Sequence, residues 1–245
     1  MKIGTWNIQG KLYNDKSSSS YLQAKTKMIK NDLDVLCLQE TGLIEKNNQV
    51  EMKLYNNKCF TKIEKLNIGT HGRPFYVNCY KYYFGDTDYR CSMAILVKCD
   101  IDENQPAIMY IDNNLRPVFG ILLNTNIAIY NIHAPSTNGS PYTINYIKTA
   151  IRDVSNILNK YNVNDGILVG DYNATPDILG CALKKDPNIQ AHIFAPKNNK
   201  GYEQTQNGGS CLDYCCCINN SNIPKISVDS DAAFSDHRTV IFDFE

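Results

Sequence analysis

Eight polar side chains stand beside apolar runs of this sequence. Asn7 closes the first run, Glu40 follows the second, and His133 follows IAIYNI. GILVG delivers Asp171 and Asn173, CLDYCCCI carries Asp213, and Asp236 and His237 immediately precede the last run. Taken singly, each has a plain explanation: an Asn or Asp at a strand end is usually a turn former. A lone His there is more often a hydrogen-bonded structural residue. Taken together they supply two imidazoles, four carboxylates and two amides at strand ends, where packed sheets hold side chains rigidly. Glu40, Asp236, Asp171, Asn7 and Asn173 are oxygen donors, the set a hard cation such as Mg²⁺ or Mn²⁺ prefers over zinc. The two histidines then remain for proton transfer or contact with a phosphate.

The elements that must position these groups follow from hydrophobic patterning. Strands are expected at 2–8, 33–39, 75–83, 91–98, 117–123, 126–132, 166–170, 211–218 and 238–244. The clearest helix runs from Tyr142 to Tyr161, where Ile144, Ile147, Ile151, Val154 and Leu158 form one stripe. Shorter helices are expected at 21–31 and after Pro176, which suits a first turn. Residues 42–72 are Asn/Lys-rich and read as irregular surface structure with one short element. No linker or repeat divides the chain, so residues 1–245 read as one α/β (α+β) domain built in layers.

Lysine plus arginine equals aspartate plus glutamate, at 25 each. A nucleic-acid contact would therefore rest on a local cluster, with a shallow salt dependence. No apolar run approaches the roughly 20 residues of a membrane helix, so no stable membrane insertion is expected. No signal-peptide pattern precedes the first strand. The ten cysteines read as mainly reduced, buried thiols, with Cys215 and Cys217 on one strand face and Cys216 on the other. A zinc site at Cys211, Cys215 and Cys217 is the weaker reading, and Cys59, Cys79 or Cys181 would carry any disulfides of a secreted form. Sequons occur at Asn138, Asn173 and Asn219; a glycan on Asn173 would obstruct the site, so either folding outside a glycosylating compartment or early burial of that sequon is expected.

TWNIQG at 5–10, LQE at 38–40, NIHAP at 131–135, GDYN at 170–173, LDY at 212–214 and SDH at 235–237 occur in register. In that order they resemble the endonuclease/exonuclease/phosphatase superfamily, which includes deoxyribonuclease I. NIGTHGRP at 67–74, DTDYR at 86–90, LRPVFGI at 115–121, GDYNATP at 170–176 and GGSCLDY at 208–214 resemble more closely the catalytic B subunits of cytolethal distending toxins. The resemblance implies a four-layer αββα sandwich and a secreted toxin nuclease acting in the host nucleus, carried by delivery subunits. It also implies roles. Glu40 would be the principal metal carboxylate, completed by Asn7 and Asp236. Asp171 and Asn173 would orient water and the scissile phosphate. His237 would pair with buried Asp213, and His133 would be the second histidine. Arg90 and Arg116 would contact phosphate, a task suited to the fixed donor fork of Arg. In deoxyribonuclease I a glutamate supports the first histidine. The matching segment RPFYVNCYKYY holds no carboxylate, which implies slower turnover; the toxin subunit lacks that acid too.

The expected activity is in-line hydrolysis of DNA phosphodiester bonds with Mg²⁺, or Mn²⁺ in its place, the water's proton going to His237 or to Asp171. The alternative is another phosphoester on the same fold, an inositol phospholipid or sphingomyelin. A binding module that has kept the scaffold would be expected to have lost a catalytic residue, and none is missing here.

Overall fold

The computed structural model describes residues 1–9, 19–42, 53–55, 59–69, 72–84, 91–98, 109–111, 116, 118–137, 139–219, 222–229 and 235–245. Its strands are β1 (Lys2–Asn7), β2 (Val35–Gln39), β3 (Lys53–Tyr55), β4 (Cys59–Asn67), β5 (Tyr76–Phe84), β6 (Met93–Val97), β7 (Met109–Ile111) and β8 (Val118–Leu122). They continue with β9 (Ile127–His133), β10 (Asp165–Asp171), β11 (His192–Phe194), β12 (Lys197–Asn198), β13 (Gly201–Tyr202), β14 (Asp213–Ile218), β15 (Lys225–Asp229) and β16 (Thr239–Asp243). The helices are α1 (Ser19–Lys30), α2 (Pro141–Tyr161) and α3 (Pro176–Lys184).

Two mixed sheets pack face to face. One runs β15-β16-β1-β2-β6-β5-β4-β3, the other β11-β14-β10-β9-β8-β7, and β12 and β13 form a small hairpin. Alternation along each strand divides the apolar residues into three layers. Ile3, Val35, Cys37, Ile95 and Phe242 meet Phe119, Ile129, Ile167, Val169, Cys215 and Cys217 between the sheets. Trp6, Leu36, Leu38 and Leu96 turn outward onto Ala24 and Met28 of α1. Tyr130, Leu168, Cys216 and Ile218 turn outward onto the α2 stripe and onto Leu179 and Leu183 of α3. The order helix, sheet, sheet, helix is the αββα sandwich of the deoxyribonuclease I type.

Helix α2 starts where Ser140 Oγ accepts the Thr143 N–H, with Pro141 in its first turn. It stops at Asn162, whose φ of 54° is the left-handed cap that Asn tolerates. The thiols of Cys215 and Cys217 lie between the sheets and that of Cys216 faces the helices. Cys211 packs on the helical side, away from Cys215 and Cys217, so these three thiols share no face and no zinc cluster forms from them. Cys37, Cys181, Cys211, Cys215, Cys216 and Cys217 are free thiols.

The stretch 42–72 is not irregular throughout. It contains β3 and the nine-residue β4, which pairs residue for residue with β5 from Cys59↔Phe84 to Asn67↔Tyr76. CFTKIEKLN lacks clean apolar alternation, so its sequence does not mark it as a strand. β7 and β11 are three residues each, too short to carry a period, whereas KISVD of β15 does alternate.

Candidate active site

The register of the strands assembles the polar groups at one end of the inter-sheet layer. In the six-stranded sheet Asp171 lies opposite both His133 and Asp213, which sets the three side by side. In the other sheet Asn7 lies opposite Gln39, next to Glu40. Asn7, Gln39, His133, Asp171 and Asp213 alternate onto the face that the apolar residues of the same strands fill deeper in the layer, and Glu40 joins them just beyond β2, where its φ is 54°. Polar side chains thus take over where the inter-sheet core ends.

Their contacts cross from sheet to sheet. Asn7 Nδ2 donates to Glu40 Oε1 at 3.2 Å and to Asp171 Oδ2 at 3.1 Å. His133 Nε2 lies 3.6 Å from Glu40 Oε1 and 4.0 Å from Asp171 Oδ2. His237 Nε2 lies 3.8 Å from the same Asp171 oxygen and 3.6 Å from Asp236 Oδ1, while its Nδ1 is 2.8 Å from Asp213 Oδ2. Two imidazoles therefore flank one carboxylate oxygen. The acids near His133 come from the ends of β2 and β10 rather than from β5, where sequence alone offered none.

Burial separates two kinds of carboxylate. Asp171 and Asp213 are 2% and 0% exposed, whereas the side chains of Glu40 and Asp236 keep 21% and 39% of their surface. Burial, with the charge of Asp213 added, raises Asp171 from 3.8 to about 7. His237 Nε2 and the hydrogen bonds from Asn7 and the Asn173 N–H pull the other way. For His237, burial disfavours the charged ring. Its hydrogen bond and ion pair with Asp213, and the charges of Asp171 and Asp236, outweigh this and raise it from 6.5 to about 9.

Backbone conformation serves the same positions. Glu40 and Asn173 hold φ values of 54° and 49°, unusual for residues with a side chain. Gly170, φ 155°, precedes Asp171, and a Cβ there would sit 2.0 Å from the Ile132 carbonyl oxygen. Only glycine lets β10 approach β9 this closely. Asn173 Nδ2 donates to Ala134 O at 2.8 Å, and Arg116 Nη1 donates to that same carbonyl at 3.0 Å. Arg116 therefore stands beside Asn173, half-buried. The Asn173 amide is engaged and buried, which closes its sequon to a glycan in the folded state. Arg90 and the Asn138 sequon lie outside the described residues.

Several supporting residues have roles that the motifs do not specify: Thr5, Trp6, Gln39 and Asn131 lie inside them, Thr205 and Gln206 outside. Beneath Glu40, Gln39 Nε2 donates to Asn131 Oδ1 (2.7 Å) and Thr5 Oγ1 (3.0 Å), and Asn131 Nδ2 donates to the carbonyls of Leu38 and Ala94. This buried polar strut ties the two sheets together. Thr205 Oγ1 accepts the N–H of Asp213, Gln206 Nε2 donates to Asp236 Oδ2, and Trp6 Nε1 donates to the His237 carbonyl. Thr205 and Gln206 sit in a short polar turn with no periodicity, so nothing local marks them.

The donor set fits a hard divalent cation. Glu40 and Asp171 crowd onto one amide nitrogen, and Asp236 Oδ1 is buried with no hydrogen-bond partner. Asp171, Asp213 and His237 also bring ligand atoms within 4.8 Å of one another. There, however, His237 Nδ1 and Asp213 Oδ2 already engage each other. The more open carboxylates, Glu40 and Asp236, are the ones that a hydrated ion could reach.

The sequence pattern of the Endonuclease/Exonuclease/phosphatase family matches residues 4–237. No curated protein sequence matches significantly. Among solved structures, the cytolethal distending toxin of Haemophilus ducreyi is similar over 100% of this chain and 98% of its own, at 24% identity and a TM-score of 0.76. That of Actinobacillus actinomycetemcomitans is similar over 99% and 97%, at 22% identity and 0.75. A 3′–5′ exonuclease from Neisseria meningitidis is similar over 100% of each chain, at 14% identity and 0.56. At these identities the likeness is one of fold.

Proposed function

Since this chain belongs to the endonuclease/exonuclease/phosphatase family of hydrolases, we propose that it is a divalent-metal-dependent endonuclease that hydrolyses DNA phosphodiester bonds. The observation that carries this reading is the placement of His133 Nε2 and His237 Nε2 on either side of Asp171 Oδ2, at 4.0 and 3.8 Å. Glu40 and Asp236 would hold the Mg²⁺ or Mn²⁺, with Asn7 beside them. When bound, the ion would supply positive charge to a non-bridging phosphate oxygen and to the leaving 3′-oxygen.

The chain's own groups divide the remaining work. Asp171, raised to about 7, is poised to accept a proton from water near neutrality. His237, raised to about 9 by Asp213, is a cation at that pH and stabilises the phosphorane charge through Nε2. His133, on the other side, donates to the phosphate or protonates the leaving oxygen. Asn173 and Arg116, joined through the Ala134 carbonyl, hold the phosphate in line, and Arg90 is the second arginine of that set. The likeness to cytolethal distending toxin structures supports a further reading as a secreted genotoxic subunit. It would be carried by partner subunits and act on DNA in the host nucleus.

The test is nicking of supercoiled plasmid with Mg²⁺ or Mn²⁺, run beside inositol phospholipid and sphingomyelin. Nicking should vanish with chelator, and His133→Ala and His237→Ala should each lower it about 10²–10⁴-fold with the fold intact. Nicking that persists in chelator, or faster turnover of either lipid, would refute the proposal.

A further inference from the structure

The turn from Thr205 to Ser210 touches Asp213, Asp236 and His237. It is closed on itself by the N–H groups of Thr205 and Gln206 on Ser210 O (3.0 and 3.1 Å) and by that of Gly209 on Gln206 O (3.0 Å). Thr205 Oγ1 accepts the N–H groups of Leu212 and Asp213 at 2.9 and 3.0 Å, fixing the start of β14. Gln206 forms a β-bridge with His237. The Asn207 N–H donates to Asp236 O, and the Arg238 N–H to Thr205 O, both at 2.7 Å. The backbone on either side of Asp236 is thus pinned to the turn.

The Asp236 side chain is less constrained. It is 39% exposed, and the terminal torsion of a carboxylate has a broad, shallow preference. Gln206 Nε2 donates to its Oδ2 at 3.3 Å, leaving Oδ1 with no hydrogen-bond partner and 3.6 Å from His237 Nε2. One amide hydrogen bond from a rigid turn therefore chooses which carboxylate oxygen faces the site.

We propose that Gln206 is a positioning residue for the divalent cation: it fixes the rotation of Asp236 so that Oδ1 is presented as a ligand. This rests on the metal-dependent reading of the preceding subsection. The role requires the side-chain amide and not merely the length of the residue. Methionine keeps the length and loses the donor.

The experiment compares wild type with Gln206→Met and Gln206→Ala. Mn²⁺ binding is measured by isothermal titration and by the emission of Trp6, the single tryptophan, whose indole N–H is bonded to the His237 carbonyl. Loss of this single long and partly exposed hydrogen bond should weaken Mn²⁺ binding roughly 3- to 10-fold in both variants. Plasmid nicking at sub-saturating Mn²⁺ should fall in step with the affinity, the pattern of a lost binding contribution. The thermal midpoint should not move. Wild-type Mn²⁺ affinity in both variants overturns the role of Gln206 while leaving the metal reading standing. So does a fall in saturated rate without a change in affinity. If wild type itself binds no Mn²⁺, the metal reading fails and this inference with it.

Discussion

Replacing Asp213 by Asn exchanges one oxygen for an NH₂ group at nearly constant volume, in a position with no solvent exposure. Its consequence runs through His237. In the folded protein that imidazole is raised from 6.5 to about 9 although burial opposes the charge. The net shift amounts to about 3 kcal/mol in favour of the imidazolium. Asp213 supplies the largest favourable contributions, through its charge and the 2.8 Å hydrogen bond, with Asp171 and Asp236 adding less. With Asp213 neutral, burial dominates and the ring returns to its ordinary range or below it.

The new amide can also donate to Nδ1, which selects the tautomer carrying its proton on Nε2 and removes the cation that faces the phosphate. Loss of a correctly charged and oriented histidine costs about 10²–10⁴-fold in rate. The assay is plasmid nicking at saturating Mg²⁺ from pH 5.5 to 9. The His237 ring resonance is followed by NMR, and near-ultraviolet circular dichroism verifies the fold. Asp213→Asn should lose activity within that range across the whole profile, and its His237 should titrate near or below 6.5. A loss smaller than ten-fold, with His237 still titrating near 9, would refute the electrostatic account of the pair.

Two further outcomes follow from the same geometry. Asp171 and His237 both have folded-state values above their unfolded ones, 3.8 to about 7 and 6.5 to about 9. Their stabilising contributions are therefore complete below the unfolded values and are lost as pH rises through the folded ones. In chelator the melting temperature should fall from pH 5 to 9, and Asp171→Asn should confine that fall to the range above neutrality. A wild-type melting temperature that rises with pH, or an unchanged slope in the variant, would contradict the shifts. Gly170→Ala should destabilise the protein by about 1–3 kcal/mol or more in urea unfolding, because its Cβ would overlap the Ile132 carbonyl. A midpoint equal to wild type would show that β9 and β10 can separate without cost.

The candidate site was legible in the sequence because its groups stand at the ends of strongly apolar strands. IAIYNIH, GILVGD and DYCCC are apolar runs, and within each the two-residue repeat of a strand puts Asp213 on one face with Cys215 and Cys217, Asp171 with Ile167 and Val169, and His133 with Ile129. The helix from Tyr142 to Tyr161 was legible from its stripe, which α2 reproduces over Pro141–Tyr161. Tertiary structure decided how the strands were ordered and how the two sheets faced each other. The contact of Asn7 with Asp171 spans 164 residues and depends on inter-sheet packing. The carboxylates beside His133 come from other strands, so no local segment could reveal them. Strand β4 is seen in its pairing with β5, and Gln206 acts from a polar turn that looks like any solvated loop. Local periodicity records which face a residue takes, since that is fixed by the two-residue repeat of a strand. Which side chains then meet across that face is set by register, twist and packing, and these are properties of the whole chain.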